Sequence, residues 1–190
     1  MIRPLILING GKVTSHFYNG PVFPIPPSYD HNGNFDFKET RKYINFLKNE
    51  GAQVIMTTAG TSQFNILSAK EIREFNLLCV DAFDGAVILG IPALAEKFAG
   101  EEISWLCKNI LPKEKKNTAL MLLYPDRFYS RESVIKFFHN MASISELPIF
   151  VHGMFMRDGI KGGTYNFDSV TMCQIAEHPN IVGMKEESTD

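Results

Sequence analysis

Asn180-Ile181-Val182-Gly183-Met184-Lys185-Glu186-Glu187-Ser188-Thr189-Asp190 closes the sequence. Its apolar run begins just after Pro179 and ends in a lysine, the pattern of a buried strand that delivers Lys185 at its C-terminal end. Side chains alternate along a strand, so Ile181, Gly183 and Lys185 are expected on one face, Val182 and Met184 on the other. If the first face lines a barrel interior, Gly183 leaves room and Lys185 stands in the cavity. An amine there loses hydration, its pKa falls, and more of it is the free base that attacks a carbonyl to form a Schiff base. The competing reading of these residues alone is a lysine that ends a strand and reaches water. The rest of the chain decides between them.

With 190 residues and 45% hydrophobic content, the chain can bury a sizeable core in one domain or at most two small ones. A net charge of -2 leaves no electrostatic footprint for nucleic acid or an anionic membrane. The one basic cluster, Lys113 to Lys116 interrupted by Glu114, follows a proline and reads as a solvated loop. Cys79, Cys107 and Cys173 are odd in number, widely spaced and without metal-ligand spacing, which points to reduced thiols in a cytoplasmic protein. The apolar run from Leu5 to Ile8 is too short for a signal-peptide core, and no stretch is long enough to span a bilayer. The expectation is a soluble, cytoplasmic protein.

Along the chain, Asn9-Gly10-Gly11 between apolar segments is a tight-turn signal, giving a hairpin extension over residues 1–19. A partial barrel domain is expected over 20–190. Its first strand lies within Gly20–Pro26, where prolines confine it to ends or bulges. A helix follows from about Asp36 to Glu50, with Phe37, Tyr43, Ile44 and Leu47 as its apolar stripe and Gly51 as its stop. Val54–Thr58 reads as a strand, and Ser68-Ala69-Lys70-Glu71 as a capping box opening a helix to about Phe83. The alternation continues with a strand at Ala86–Ile91, a helix at Glu101–Leu111 and a strand at Ala119–Tyr124. A helix at Ser130–Ile144 with Val134, Phe137, Phe138 and Met141 inside, a strand at Pro148–His152, a helix at Asp168–Glu177 and a strand at Ile181–Lys185 complete it. Strands thus recur about every 30 residues with a helix between each pair, the spacing of βαβ units.

Six such units fit either a doubly wound open sheet or the first six strands of a (β/α)8 TIM barrel, both α/β. No Gly-rich dinucleotide fingerprint follows the first or second strand, which weakens the open sheet.

From about Gly20 to Asp190 the chain resembles the dihydrodipicolinate synthase / N-acetylneuraminate lyase family of class I aldolase-type (β/α)8 barrels. Val182-Gly183-Met184-Lys185-Glu186, followed by Ser188 and Asp190, looks like that family's strand-six signature. Gly60-Thr61-Ser62, then Leu67-Ser68 with Glu71, resembles its Gly-Thr-Thr loop and the helix start beyond. Pro148-Ile149-Phe150-Val151-His152, then Arg157 with Gly159, lies where the family has its catalytic tyrosine, a substrate-binding arginine and a glycine. The resemblance implies a lyase or aldolase that binds pyruvate or another 2-oxo acid as an imine on Lys185. It also implies a homo-oligomer, a tetramer or dimer.

Each position can be given its chemistry. An imine nitrogen, once protonated, draws electrons and eases removal of a proton from the neighbouring carbon, which then adds to an aldehyde or is released from one. Thr61 and Ser62, two hydroxyls with their backbone N–H groups, are candidates to hold the substrate carboxylate, against ordinary turn chemistry after a glycine. Arg157 suits a bidentate carboxylate partner, against a surface ion pair with Asp158 or another acid. No metal-ligand cluster, phosphate loop or flavin motif appears, so no cofactor is expected and the lysine itself serves as the electrophilic catalyst.

Three departures stand out. His152 occupies the family's tyrosine position; its imidazole suits proton shuttling near neutral pH, and a satisfied core histidine is the alternative. Gln63-Phe64-Asn65 replaces the family's Gly-Glu, and the paired tyrosines after the fourth strand are reduced to Tyr124, with Tyr129 further on, as a possible relay. An aldolase or lyase with another 2-oxo acid is therefore easier to defend than the lysine-pathway synthase. The sequence stops after the sixth strand, where a complete barrel needs roughly 250 residues, and a fragment of a longer protein is the favoured explanation. Two rival readings remain open at this point: a non-catalytic homologue that binds a small acid or a protein partner, and a doubly wound nucleotide-binding domain.

Overall fold

The computed structural model describes residues 6–7, 20–57, 62, 66–125 and 127–186. They fall into two compact units, one from residues 14–92 and 108–119, the other from 1–13, 93–107 and 120–190. The proposed hairpin at Asn9-Gly10-Gly11 lies outside the described residues. Only Ile6–Leu7 (β1) is described from that segment; it pairs antiparallel with the last strand, Ile6 against Met184 and Leu7 against Gly183.

In the first unit, Val22–Pro24 (β2), Val54–Met56 (β3) and Ala86–Ile91 (β4) run parallel. The helices between them are Phe37–Asn49 (α1) and Ala69–Ala82 (α2). Asp36 caps α1 by accepting from the N–H groups of Lys38 and Glu39. Its buried stripe is Thr40, Ile44 and Leu47, while Phe37 and Tyr43 are exposed, contrary to the sequence expectation. Thr40 replaces them because its Oγ1 accepts the Ser28 N–H at 3.0 Å, which satisfies a polar side chain at a buried position. The capping box at Ser68 and Glu71 forms as read. Gly51 ends α1 at φ +88, a conformation that favours glycine.

The chain continues through Glu96–Asn109 (α3), Pro112–Lys115 (α4) and Thr118–Leu123 (β5). α3 begins five residues before the expected Glu101, running straight through Gly100. A side chain there would meet Ile144 Cδ1 at 3.1 Å, so the missing Cβ serves close packing and not a break. Lys113 to Lys116, expected to be loop, is largely the short helix α4, with Pro112 at its first position.

The second unit holds Arg127–Phe128 (β6), Arg131–Ile144 (α5), Ile149–Gly153 (β7), Met156–Asp158 (β8), Thr164–Tyr165 (β9), Ser169–Ile175 (α6) and Ile181–Glu186 (β10). β5, β7 and β10 are parallel neighbours, every residue of β7 buried. The buried side of α5 is Val134, Phe137, Phe138, Met141 and Ala142, as the periodicity predicts. Six parallel strands alternating with helices make this the first six-strand portion of a (β/α)8 barrel. The small sheet β6-β8-β9 has no counterpart in the sequence reading. Cys79 and Cys107 are buried and Cys173 exposed, all free thiols; burial pushes the Cys79 thiol up.

Asn180 joins α5 to the starts of β7 and β10. Its side-chain amide donates to the carbonyls of Ala142, Ser145 and Leu147 at 2.9–3.1 Å, and its own carbonyl accepts the Ile149 N–H. The Asn180 N–H donates to Nδ1 of His178 at 3.2 Å. Ser143 Oγ donates its hydrogen to the His139 carbonyl, so the 3.1 Å contact at its oxygen takes Nε2–H from His178. Both ring nitrogens are thereby committed to the neutral ring. Partial burial, and then the nearby His139 of α5, hold His178 below the usual histidine range. A depressed histidine gives stability that is fully present above the unfolded value near 6.5 and is lost as pH falls through the folded value. The expected outcome is a melting temperature that drops as pH falls below about 6.5, with a smaller drop in His178→Asn, which keeps an acceptor and does not titrate. Equal drops in both proteins would contradict it.

Candidate active site

Lys185 and His152 meet because the register of two strands brings them side by side. The pairing of β10 with β7 shifts between Ile181 and Gly183, where one extra residue is accommodated. Beyond that shift Gly183 lies opposite Phe150, Lys185 opposite His152 and Glu186 opposite Gly153. Register partners share a face, so Lys185, Gly183, Phe150 and His152 stand together. The shift moves Ile181 into register with Ile149, off the face it was expected to share with Gly183 and Lys185.

The Lys185 Nζ and His152 Nε2 are 2.6 Å apart. His152 is buried, with 8% of its surface exposed, and Lys185 is half-buried. A hydrogen bond needs a lone pair facing the proton: either the ammonium donates to imidazole, or the imidazole N–H donates to the free amine. Either way one proton lies between the two nitrogens. Moving that proton onto His152 leaves Lys185 with the lone pair that a nucleophile requires. Glu186 sits on the opposite face, its Oε2 2.6 Å from where a Cβ on Gly153 would be.

The remaining site residues are placed as follows. Thr61 lies outside the described residues. Ser62 is fully buried, and its Oγ donates to the Ile25 carbonyl at 2.6 Å, so its hydrogen is committed to the backbone just after β2. Tyr124 packs edge-on against Phe137 at 5.2 Å and also contacts Phe138, which directs its ring to α5; its neighbour Leu123 is the residue in register with His152. Burial first, then Glu96 and Tyr129, push the Tyr124 phenol up, keeping it a donor through the neutral range. Tyr129 is half exposed, and its ring lies where any side chain on Gly159 would be, 2.6 Å from that Cβ position. Arg157 is exposed on β8. The alternative partner considered for it, Asp158, projects from the other face and accepts the N–H groups of Ile160 and Lys161 at 2.8 and 2.7 Å. Arg127, not singled out in the sequence, is in register with Arg157; strands of two residues carry no periodicity, and only the register reveals the pair.

Among the described residues no group of three or more His, Cys, Asp or Glu could hold a metal ion, and no helix is long and apolar enough to cross a membrane.

A family model described as the dihydrodipicolinate synthetase family matches residues 19–190. The 4-hydroxy-tetrahydrodipicolinate synthase of Syntrophotalea carbinolica is 27% identical over 176 residues, 91% of this chain and 56% of that protein. N-acetylneuraminate lyase from Mycoplasma synoviae superposes with a TM-score of 0.69 at 21% identity, covering 89% of this chain and 55% of that one. A variant of the 2-keto-3-deoxygluconate aldolase of Sulfolobus solfataricus does so with 0.71 at 15% identity, covering 89% and 53%. These likenesses show the shared fold, and the chain spans about half the length of the curated relatives it matches.

Proposed function

Because the chain belongs to the dihydrodipicolinate synthetase family, we propose that it acts as a Schiff-base lyase or aldolase on pyruvate or another 2-oxo acid, with Lys185 as nucleophile. The observation that carries this reading is the 2.6 Å contact between Lys185 and the buried His152 at the ends of adjacent strands. The amine adds to the C2 carbonyl, the adduct loses water, and a protonated imine results. Loss of a proton from C3 sends its electron pair toward the imine nitrogen and leaves a nucleophilic carbon, which forms a bond to an aldehyde; the reverse sequence cleaves one. His152 takes up and returns the protons, in the position the family gives to tyrosine. Arg157 and Thr61 are proposed to hold carboxylate groups, while the Ser62 hydroxyl, given to the Ile25 carbonyl, ties their loop to the end of β2. The same proposal takes the protein as a homo-oligomer.

Borohydride reduction in the presence of pyruvate, followed by mass spectrometry, tests the reading. The expected product is a reduced adduct on the peptide containing Lys185. A folded protein that gives no adduct would refute the proposal and favour a non-catalytic homologue. His152→Phe should still trap pyruvate but exchange its methyl protons with deuterated water about 10²–10⁴-fold more slowly, the usual contribution of a general acid–base group.

A further inference from the structure

His152 has a register partner on each side. β5, β7 and β10 run parallel, with Leu123 opposite His152 and His152 opposite Lys185. Neighbouring strands lie about 5 Å apart and register partners project from the same face, so an alkyl chain, an imidazole and an amine stand in one row. The row before it along the strands is Met121, Phe150 and Gly183. Met121, Phe150 and Leu123 are all buried. The imidazole thus follows an apolar layer and meets an alkyl group on its β5 side, with the amine on its β10 side.

Alternation puts Ala119, Met121 and Leu123 of β5, Phe150 of β7 and Gly183 of β10 on the face of His152, and none of them titrates. Glu186 is on the opposite face, level with Gly153. Phe137 and Phe138 direct the Tyr124 ring to α5, and Glu96 and Tyr129 act on its phenol. Among the described residues of β5, β7 and β10, Lys185 is therefore the one other titratable side chain on this face.

An alkyl neighbour acts on an imidazole in two ways. It offers no hydrogen-bond partner, so the ring gains nothing by turning toward Leu123, and the 2.6 Å contact with Lys185 is uncontested from that residue. It also keeps water and polar atoms off one flank, which penalises the imidazolium relative to the neutral ring. A base in such a setting is uncharged when substrate arrives and gives up an acquired proton readily.

We propose that Leu123 is a positioning residue for the proton carrier: from the side away from Lys185, its alkyl chain keeps the His152 ring turned to the amine and uncharged until it takes a proton from the substrate. A polar side chain at this position would stabilise the imidazolium and remove the base from use at the lower end of its pH range. This inference rests on the Schiff-base reading and adds Leu123 to it.

The test compares Leu123→Val with Leu123→Thr, both β-branched and differing by one hydroxyl, so that the packing loss is shared and the polarity is not. Exchange of the pyruvate methyl protons with deuterated water is followed by proton NMR against pH at saturating pyruvate, where the profile reports the bound complex. The rate rises with pH as the base loses its proton, so a base that is more easily protonated moves the rise to higher pH. In Leu123→Thr the rise should move up by about half to one pH unit, and in Leu123→Val it should stay in place. Borohydride trapping on Lys185 at a pH above the rise should be kept in both. Leu123→Ser and Leu123→Ala repeat the comparison with a smaller pair. A rise that moves equally within each pair, or in neither hydroxyl variant, overturns the inference, as does exchange that falls by the same factor at every pH. Loss of trapping in all four variants would make Leu123 a packing residue and overturn it too. Absence of trapping in the wild-type protein refutes the Schiff-base reading itself.

Discussion

Lys185→Ala abolishes borohydride trapping of pyruvate and slows exchange of the pyruvate methyl protons with deuterated water by at least about a thousandfold, measured by proton NMR. The size follows from the role: without the amine no imine forms, and the methyl protons lose the electron sink that makes them acidic. Lys185→Arg should fail to the same extent, since a guanidinium keeps the positive charge and offers no free nucleophile. Activity retained in the arginine variant would mean that charge, not covalent chemistry, is what position 185 supplies. The half-buried setting of Lys185 makes both variants tolerable to the fold, so melting temperatures close to wild type are expected alongside the loss.

Phe138→Ala destabilises the protein by about 3–5 kcal/mol in denaturant unfolding, the range for deleting a large buried aromatic ring. Phe138 is fully buried at the centre of an aromatic cluster: its ring centroid is 5.3 Å from Phe137, 6.2 Å from Tyr124 and 6.1 Å from Phe167. The edge-on arrangements with Phe137 and Phe167 add to the burial energy. The cluster also fixes the site, because Tyr124 follows β5 directly and Phe167 lies 3.4 Å from the Cβ position of Gly153, next to His152. The matched control is Phe46→Ala on α1, where the ring is 55% exposed and the expected change is within about 0.5 kcal/mol. Similar losses for the two variants would contradict the assignment of Phe138 to the core.

What could be read from the sequence was whatever is written locally. The capping box at Ser68 and Glu71 depends on residues three apart, and the buried face of α5 repeats with the helical period; both formed as expected. Lys185 was found because an apolar run ends in it. Its meeting with His152 was less visible, since it depends on a register between strands 33 residues apart and on a shift between Ile181 and Gly183 that alternation alone does not foretell. The sheet β6-β8-β9 was missed because its strands are too short for a periodic signal. The start of α3 was placed five residues late, at Glu101, and the helix runs through Gly100, a helix-weakening residue against which Ile144 packs, a tertiary cause. For Ser62, the hydroxyl pattern was legible but the direction was not, because its acceptor is the carbonyl of Ile25.

The glycine at position 153 stands opposite Glu186 where β7 and β10 pair. The Glu186 carboxylate lies in the space that a side chain there would take, and residue 186 is level with residue 153 in the register of β10 and β7. A strand that slipped by one residue would reverse every side chain. Glu186 would then turn toward His152, and the amine would be carried to the helix-facing side, leaving a base opposed to an acid with no nucleophile between them. The register that puts residue 186 level with residue 153 is the same one that lets an amine and an imidazole share a proton.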